Sequence, residues 1–313
     1  MMLVLNPRSG KGQALRHRGT AERIASELGI ALDVRHIERQ GHGKDLAVEA
    51  VASGMERVIS AGGDGTMNSV AAGLLNTKVA MGVVAMGSGN GYARSLGLPL
   101  DPQKGFRHAF TGEAAQMDIC FLNDTPFLGT AGIGFDARVA QAFDKSNGRG
   151  MLGYARIILK DILGAPPMRV VLKANHETTE KEVLMVVFCN TREFGNGARI
   201  SPGSLPDDGW AEVRVIRKPP LFPLINAFVQ IYTGKADKSP YITNIVTRNA
   251  TVWQEGTLAH LDVEPMEVGR IGLTMAPMAR WSIFGLQIHQ LDIQFQPRMR
   301  SYLFEGRSVT GVA

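Results

Sequence analysis

An α/β domain with a parallel sheet, followed by an all-β antiparallel sandwich, is the architecture the sequence predicts. Three observations predict it. Short apolar runs alternate with helical patterns over about the first hundred residues, in the rhythm of strand–helix–strand units. Glycine-rich loops stand where those runs give way to helices. Past about Phe121 long helical patterns become scarce and β-rich runs take over.

The elements follow in order. Met2–Leu5, Leu32–Val34, Arg57–Ser60 and Met81–Ala85 read as buried strands, since short continuous apolar runs suit strands covered on both faces. Between them Gly12–Leu28, Lys44–Ala52 and Met67–Leu75 carry helical spacing. This first unit, residues 1–121, is expected to collect its ligand at the carboxyl ends of its strands. Residues 122–292 are expected to form the sandwich from the runs RVVLKAN, KEVLMVVFCN, AEVRVI, NATVWQ, LAHLDVE and RWSIFGLQI. Helices are expected within it at Gly150–Leu163 and Leu221–Tyr232, with a proline-marked connection at Arg217–Pro223. A return of the tail, about 293–313, to the first domain is left open.

Bulk composition narrows the partners. The 313 residues are 44% hydrophobic and 20% charged, with a net charge of +5 that suits an anionic ligand or an anionic surface. The basic residues are scattered and lack interleaved aromatics or a known binding motif, so nucleic acid is not an expected partner. No signal-peptide pattern is seen, and no apolar stretch approaches the roughly 20 residues that span a bilayer. Cys120 and Cys189 lie in apolar surroundings without metal spacing and read as buried thiols of a reducing compartment. A cytoplasmic location is expected.

Three loops carry the chemistry: NPRSGKG (Asn6–Gly12), GGDGT (Gly62–Thr66) and GSGNG (Gly87–Gly91). Each leaves a strand and enters a helix, where clustered N–H groups suit a phosphate. Two common phosphate motifs fail. Leu5 stands where the Walker pattern needs its first glycine, and Gly12 where it needs a hydroxyl. Gly87 and Gly89 are followed by Tyr92 where the dinucleotide fingerprint has its third glycine. Asp64 is the odd residue, an acid inside a glycine run. A carboxylate tolerates neighbouring phosphates when a cation stands between them; it can also serve as a helix N-cap for Met67–Leu75.

The motifs NPRSGKG, GGDGTMNSV and GSGNGYARSLGLP, in this order and spacing, resemble the diacylglycerol kinase catalytic family, the bacterial lipid kinases related to sphingosine and ceramide kinases. GTAGIGFDARVA, GNGARISPGSLPDDGWAEV and HLDVEP extend the resemblance over nearly the whole chain. It implies an ATP-dependent, Mg²⁺-dependent lipid kinase, peripherally associated with a membrane from the cytoplasm. It implies nucleotide contacts at Asn6, Ser9, Gly10, Lys11, Gly62, Gly63, Asp64, Gly65, Thr66, Asn68, Ser88 and Asn90, with Asp64 facing the magnesium. The family's base is the glutamate of an Asp-Gly-Glu turn, which falls on Glu264, with Asp262 in support. A structural Mg²⁺ is implied on the Asp208 carboxylate and the Leu205 and Trp210 carbonyls, and a headgroup contact at Asp136.

Several positions depart from the family pattern, among them the place on the second strand, near Ile37 or Glu38, where relatives offer a threonine to the nucleotide. Val263 replaces the glycine of the base turn, so either the turn changes or the strand runs on with His260, Asp262 and Glu264 on one face. Gly91 replaces an acid beside the acceptor site. Rival readings are a kinase for a soluble acceptor such as NAD and a nucleotide-binding sensor without catalysis; a homodimer is left open.

Overall fold

The computed structural model describes residues 1–135, 162 and 164–254, and beyond these the backbone of four strands between 258 and 284. The helix expected at Gly150–Leu163, Asp136, Asp262 and the tail from 293 lie outside the described residues.

The first sheet is built on β1 (Met2–Leu5), β2 (Asp33–His36), β3 (Arg57–Gly62) and β4 (Ala80–Ala85), all parallel in the order β2-β1-β3-β4. The period of two along β1 explains the layering. Met2 and Val4 point into a core with helices α3 (His42–Ala52) and α4 (Asp64–Leu74). Leu3 and Leu5 point into another with α2 (Arg18–Glu27) and α6 (Pro102–Thr111). The single helix expected over Gly12–Leu28 is divided into a 3₁₀ turn at Ala14–His17 and α2, after a left-handed Gly12 (φ 83°). At α6, Asp101 accepts the Lys104 N–H and Pro102 opens the helix, a cap written in the sequence.

Two six-stranded antiparallel sheets form the sandwich. One runs β10 (Glu177–Val183), β9 (Met168–Ala174), β14 (Asn249–Gln254), β17 (Arg270–Ala276), β6 (Ile119–Leu122), β7 (Thr125–Phe127). The other runs β13 (Ile242–Thr247), β12 (Ala211–Ile216), β11 (Met185–Cys189), β8 (Thr130–Gly134), β15 (Leu258–Leu261), β16 (Glu264–Glu267). Between them lies a core of Leu122, Phe127, Val170, Leu172 and Val252 facing Ile133, Val186, Phe188, Val213 and Val215. Cys120 and Cys189 are buried thiols, not a disulfide. Among the described residues no helix is long and apolar enough to cross a membrane.

Two expectations are corrected. The run RWSIFGLQI does not join the sandwich: β18 (Ser282–Phe284) pairs parallel with β4, and β5 (Ala114–Gln116) pairs antiparallel with β18. The reason is β4, buried at all six residues, whose outer edge needs a hydrogen-bonding partner. Nor does the strand run on through 260–264. β15 ends at Leu261, which pairs antiparallel with Glu264 at the start of β16.

Candidate active site

The three glycine loops close on one another at the carboxyl edge of the first sheet. Asn6 donates through Nδ2 to Thr66 Oγ1 at 2.9 Å, tying the first loop to the second. Its Oδ1 accepts the Arg8 N–H, which starts the turn. Gly10 and Lys11 follow in left-handed geometry (φ 59° and 58°). A Cβ on Gly10 would stand 2.8 Å from the Met86 carbonyl oxygen, so the first loop lies directly on the third. The second and third loops touch at Gly63 and Gly87, where a Cβ on Gly87 would stand 2.6 Å from Gly63 Cα. These glycines thus let the loops pack against one another as well as leaving backbone N–H groups uncovered by side chains.

Asp64 is the rivet. It lies inside the first turn of α4, whose N-cap is Gly63, so it does not cap its own helix as the sequence suggested. Its carboxylate reaches the next loop instead. Oδ2 accepts the Gly91 N–H at 3.1 Å and Oδ1 the Tyr92 N–H at 3.0 Å, at the start of α5 (Gly91–Ser95). Burial pushes its carboxyl up from the ordinary range, while the Tyr92 and Gly91 N–H groups favour the ionised form. Asn90 is also turned inward: Oδ1 accepts the Gly87 N–H at 2.8 Å and Nδ2 donates to the Gly87 carbonyl at 2.9 Å.

The expected contact residues therefore separate by geometry. Asn6, Asp64 and Thr66 hold loop to loop, and Asn90 closes the third loop on itself. Lys11 and Ser88 are exposed on the loops, and Ser9 is half-buried. Gly10, Gly62, Gly63 and Gly65 form the backbone of the cradle. Asn68 turns to the sandwich, where Nδ2 donates to the Pro126 carbonyl at 3.0 Å and Oδ1 stays buried without a hydrogen-bond partner.

The sandwich closes over the third loop through a segment that sequence reasoning matched only as a motif. Gly195 bridges Asn90, the Asn196 N–H donates to the Gly89 carbonyl at 3.1 Å, and the Glu193 N–H donates to Ser95 Oγ at 3.2 Å. Glu193 is itself buried and ion-paired to Arg199 at 3.1 Å. A Cβ on Gly91 would meet the Phe194 backbone at 2.7 Å. Gly91→Asp, which restores the family's acid, is thus expected to lose function. Overpacking against backbone costs roughly 1–3 kcal/mol, read as a lower thermal midpoint together with weaker nucleotide binding. Glu264 enters at this same end: its partner Leu261 pairs with Ala131 near the start of β8, and Thr130 there pairs with Cys189, from which the 190–196 segment departs.

A second acidic site lies beneath. Asp118, fully buried, accepts the Gly209 N–H through Oδ2 at 2.6 Å and donates its own N–H to the Pro206 carbonyl. It thereby clamps the turn that carries Asp208. Asp208 Oδ1 accepts the Trp210 N–H at 2.9 Å, while Oδ2 is buried without a hydrogen-bond partner. Burial, then the charges of Asp118 and Asp207, push the Asp208 carboxyl up to about 6. Buried Glu212, bonded by the Ser204 hydroxyl, is pushed up to about 7 by burial first and by Asp208. An orphaned carboxylate oxygen among like charges is the environment a divalent cation relieves. Among the described residues no group of three or more His, Cys, Asp or Glu gathers as a metal site, so a cation here would need backbone oxygens.

A parallel sheet whose three strand-to-helix loops meet an antiparallel sandwich is the architecture of the diacylglycerol kinase-like proteins. The chain belongs to that family: residues 1–122 match the diacylglycerol kinase catalytic domain, and 129–280 the YegS C-terminal NAD kinase beta sandwich-like domain. It is similar to the "Probable lipid kinase YegS-like" of Enterobacter sp. (strain 638), at 27% identity over 290 residues, 89% of this chain and 93% of that one. The "Probable lipid kinase YegS" of Escherichia fergusonii is related to the same extent, 27% identical with 89% and 93% coverage. In fold it resembles a diacylglycerol kinase from Bacillus anthracis str. Sterne, with a TM-score of 0.68 at 17% identity, covering 91% of this chain and 96% of that one.

Proposed function

We propose that the chain transfers the γ-phosphoryl group of Mg·ATP to the hydroxyl of diacylglycerol or a related lipid, working from the cytoplasm at a membrane surface. The observation that supports it most is the mutual closure of the three loops around Asp64, with the sandwich seated on the third. Phosphoryl transfer is chiefly positioning and charge neutralisation, and a rigid cradle of N–H groups provides the first.

In this reading the backbone of Gly10–Lys11 and Gly62–Gly65 orients the phosphates, with Lys11 and Ser88 reaching them from the exposed loop edges. Bound Mg²⁺ supplies positive charge against the β- and γ-oxygens. Asp64 fits that neighbourhood because each carboxylate oxygen keeps a lone pair beyond the N–H it accepts. Glu264 takes the proton of the acceptor hydroxyl, Asp262 supports it, and Asp136 meets the headgroup. Asp208 and the Leu205 and Trp210 carbonyls would hold a second cation, whose charge would offset that of the Asp208 carboxylate.

The test is transfer of labelled phosphate from ATP to a panel of diacylglycerols, ceramides and sphingoid bases, with NAD beside them, comparing wild type with Asp64→Ala. Label in a lipid is expected from wild type. Asp64→Ala strands two backbone N–H groups, at roughly 1–3 kcal/mol each where they stay buried, and is expected to lose transfer and nucleotide affinity together. Label in NAD alone, or in nothing, sinks the lipid kinase reading.

A further inference from the structure

The observation that the active site leaves unused is the outer face of α7 (Leu221–Tyr232), the helix expected from the sequence. Its twelve residues carry no charge. Leu224 and Ala227 are buried against the sandwich, yet Leu221, Ile225 and Val229 are about half exposed and Phe222 is 83% exposed. At helical spacing these four fall within one continuous arc on the side away from Leu224 and Ala227. Four large apolar side chains on one surface stripe are more than scattered surface hydrophobics explain.

Charge brackets that stripe. Within six residues of its ends stand four cations, Arg217, Lys218, Lys235 and Lys238, and one acid, Asp237, which is paired with Arg214. Arg217, Lys235 and Lys238 are exposed, and Arg217 also lines an open cleft with Lys181, Glu182 and Thr243. The helix sits beside the cradle: the Ile231 carbonyl accepts the Arg199 N–H, Arg199 pairs with Glu193, and Glu193 holds Ser95 at the end of α5.

We propose that α7 is an in-plane membrane-docking helix, its Phe222–Ile225–Val229 stripe entering the apolar boundary of an anionic bilayer while the bracketing bases meet lipid phosphates. Charge complementarity selects this occupant: an uncharged apolar stripe ringed by cations matches a surface that is apolar below and negative above. The inference rests on the lipid kinase reading and adds where that kinase meets its substrate phase.

The experiment is co-sedimentation with vesicles of equimolar phosphatidylglycerol and phosphatidylcholine, against phosphatidylcholine alone, for wild type, Phe222→Asp and Ile225→Asp. Wild type is expected to prefer the anionic vesicles, and each variant to bind them at least about tenfold more weakly. Both variants are expected to keep wild-type transfer to a short-chain diacylglycerol dispersed as monomers. Variants that bind vesicles like wild type overturn the proposal. So does a wild-type dimer that the variants dissociate without change in vesicle binding, since the face then seats a second copy. Vesicle binding as expected, with no lipid phosphorylated by wild type, leaves docking standing and removes the kinase reading. If a variant loses both binding and transfer, Phe222→Trp decides. Quenching of its added emission by brominated lipid supports insertion, and no quenching beyond wild type overturns it.

Discussion

Glu264→Gln is expected to lower lipid phosphorylation by roughly 10²- to 10⁴-fold, the range a positioned general base contributes, while nucleotide affinity stays at its wild-type value. The split follows from topology. The three glycine loops belong to the first sheet, whereas Glu264 opens β16 at the edge of a sandwich sheet. It can change the reacting hydroxyl without touching the cradle. The register Leu261↔Glu264 also bears on Val263, which stands where the family's base turn has glycine. The chain reverses between β15 and β16 all the same, so Val263→Gly is expected to change transfer little. Equal loss of ATP binding and transfer in Glu264→Gln would instead assign this glutamate to folding.

The acidic site beneath the cradle should make stability depend on pH and on divalent cations together. Glu212 titrates at about 7 and Asp208 at about 6 in the folded chain, both raised above their unfolded values. A raised carboxyl contributes stability that is full at low pH and is withdrawn as pH rises through the folded value. For Glu212, fully enclosed, the loss between about pH 4.5 and 7 is on the order of 3 kcal/mol. The thermal midpoint of the metal-free protein should therefore fall from pH 5 to pH 8, and fall less in Glu212→Gln, which keeps an oxygen for Ser204. Millimolar Mg²⁺ or Ca²⁺ should restore the midpoint at pH 8 and do little at pH 5, where Asp208 holds its proton. A cation effect of equal size at both pH values would show that Asp208 is not its ligand.

How much of this could be read in advance depends on how local each feature is. The strands of the first sheet and the three loops were legible because their signals, apolar runs and glycine, sit within a few residues. α7 was legible for the same reason, since its twelve residues carry their own periodicity. What Asp64 grips was not: Gly91 and Tyr92 lie 27 and 28 residues further on, and nothing in GGDGT points to them. Asp118 was missed because it is a lone acid between Met117 and Ile119, meaningful only once it meets the 206–209 turn. Its sequence signal, an acid in an otherwise apolar run, was present but had no partner in view. The division of this run into two paired strands, β15 and β16, was obscured by a real conflict, a period-two pattern that permitted a continuous strand. β18 was assigned to the wrong sheet because its composition suits either one, and only the unfilled edge of β4 decides.

The pairing of Ser282 with Ala80 has a consequence for how the molecule is made. On the ribosome, the three glycine loops emerge first, but the sheet that carries them stays one strand short until about 200 more residues have been synthesised, a long-range closure of the slow kind. The sandwich, whose strands end with β17 at Ala276, is complete before that closure. A nascent chain therefore finishes the sandwich first and the first sheet last. A chain cut short anywhere before Phe284 leaves an open strand edge for chaperones or proteases to find, so no product cut there carries the finished sheet.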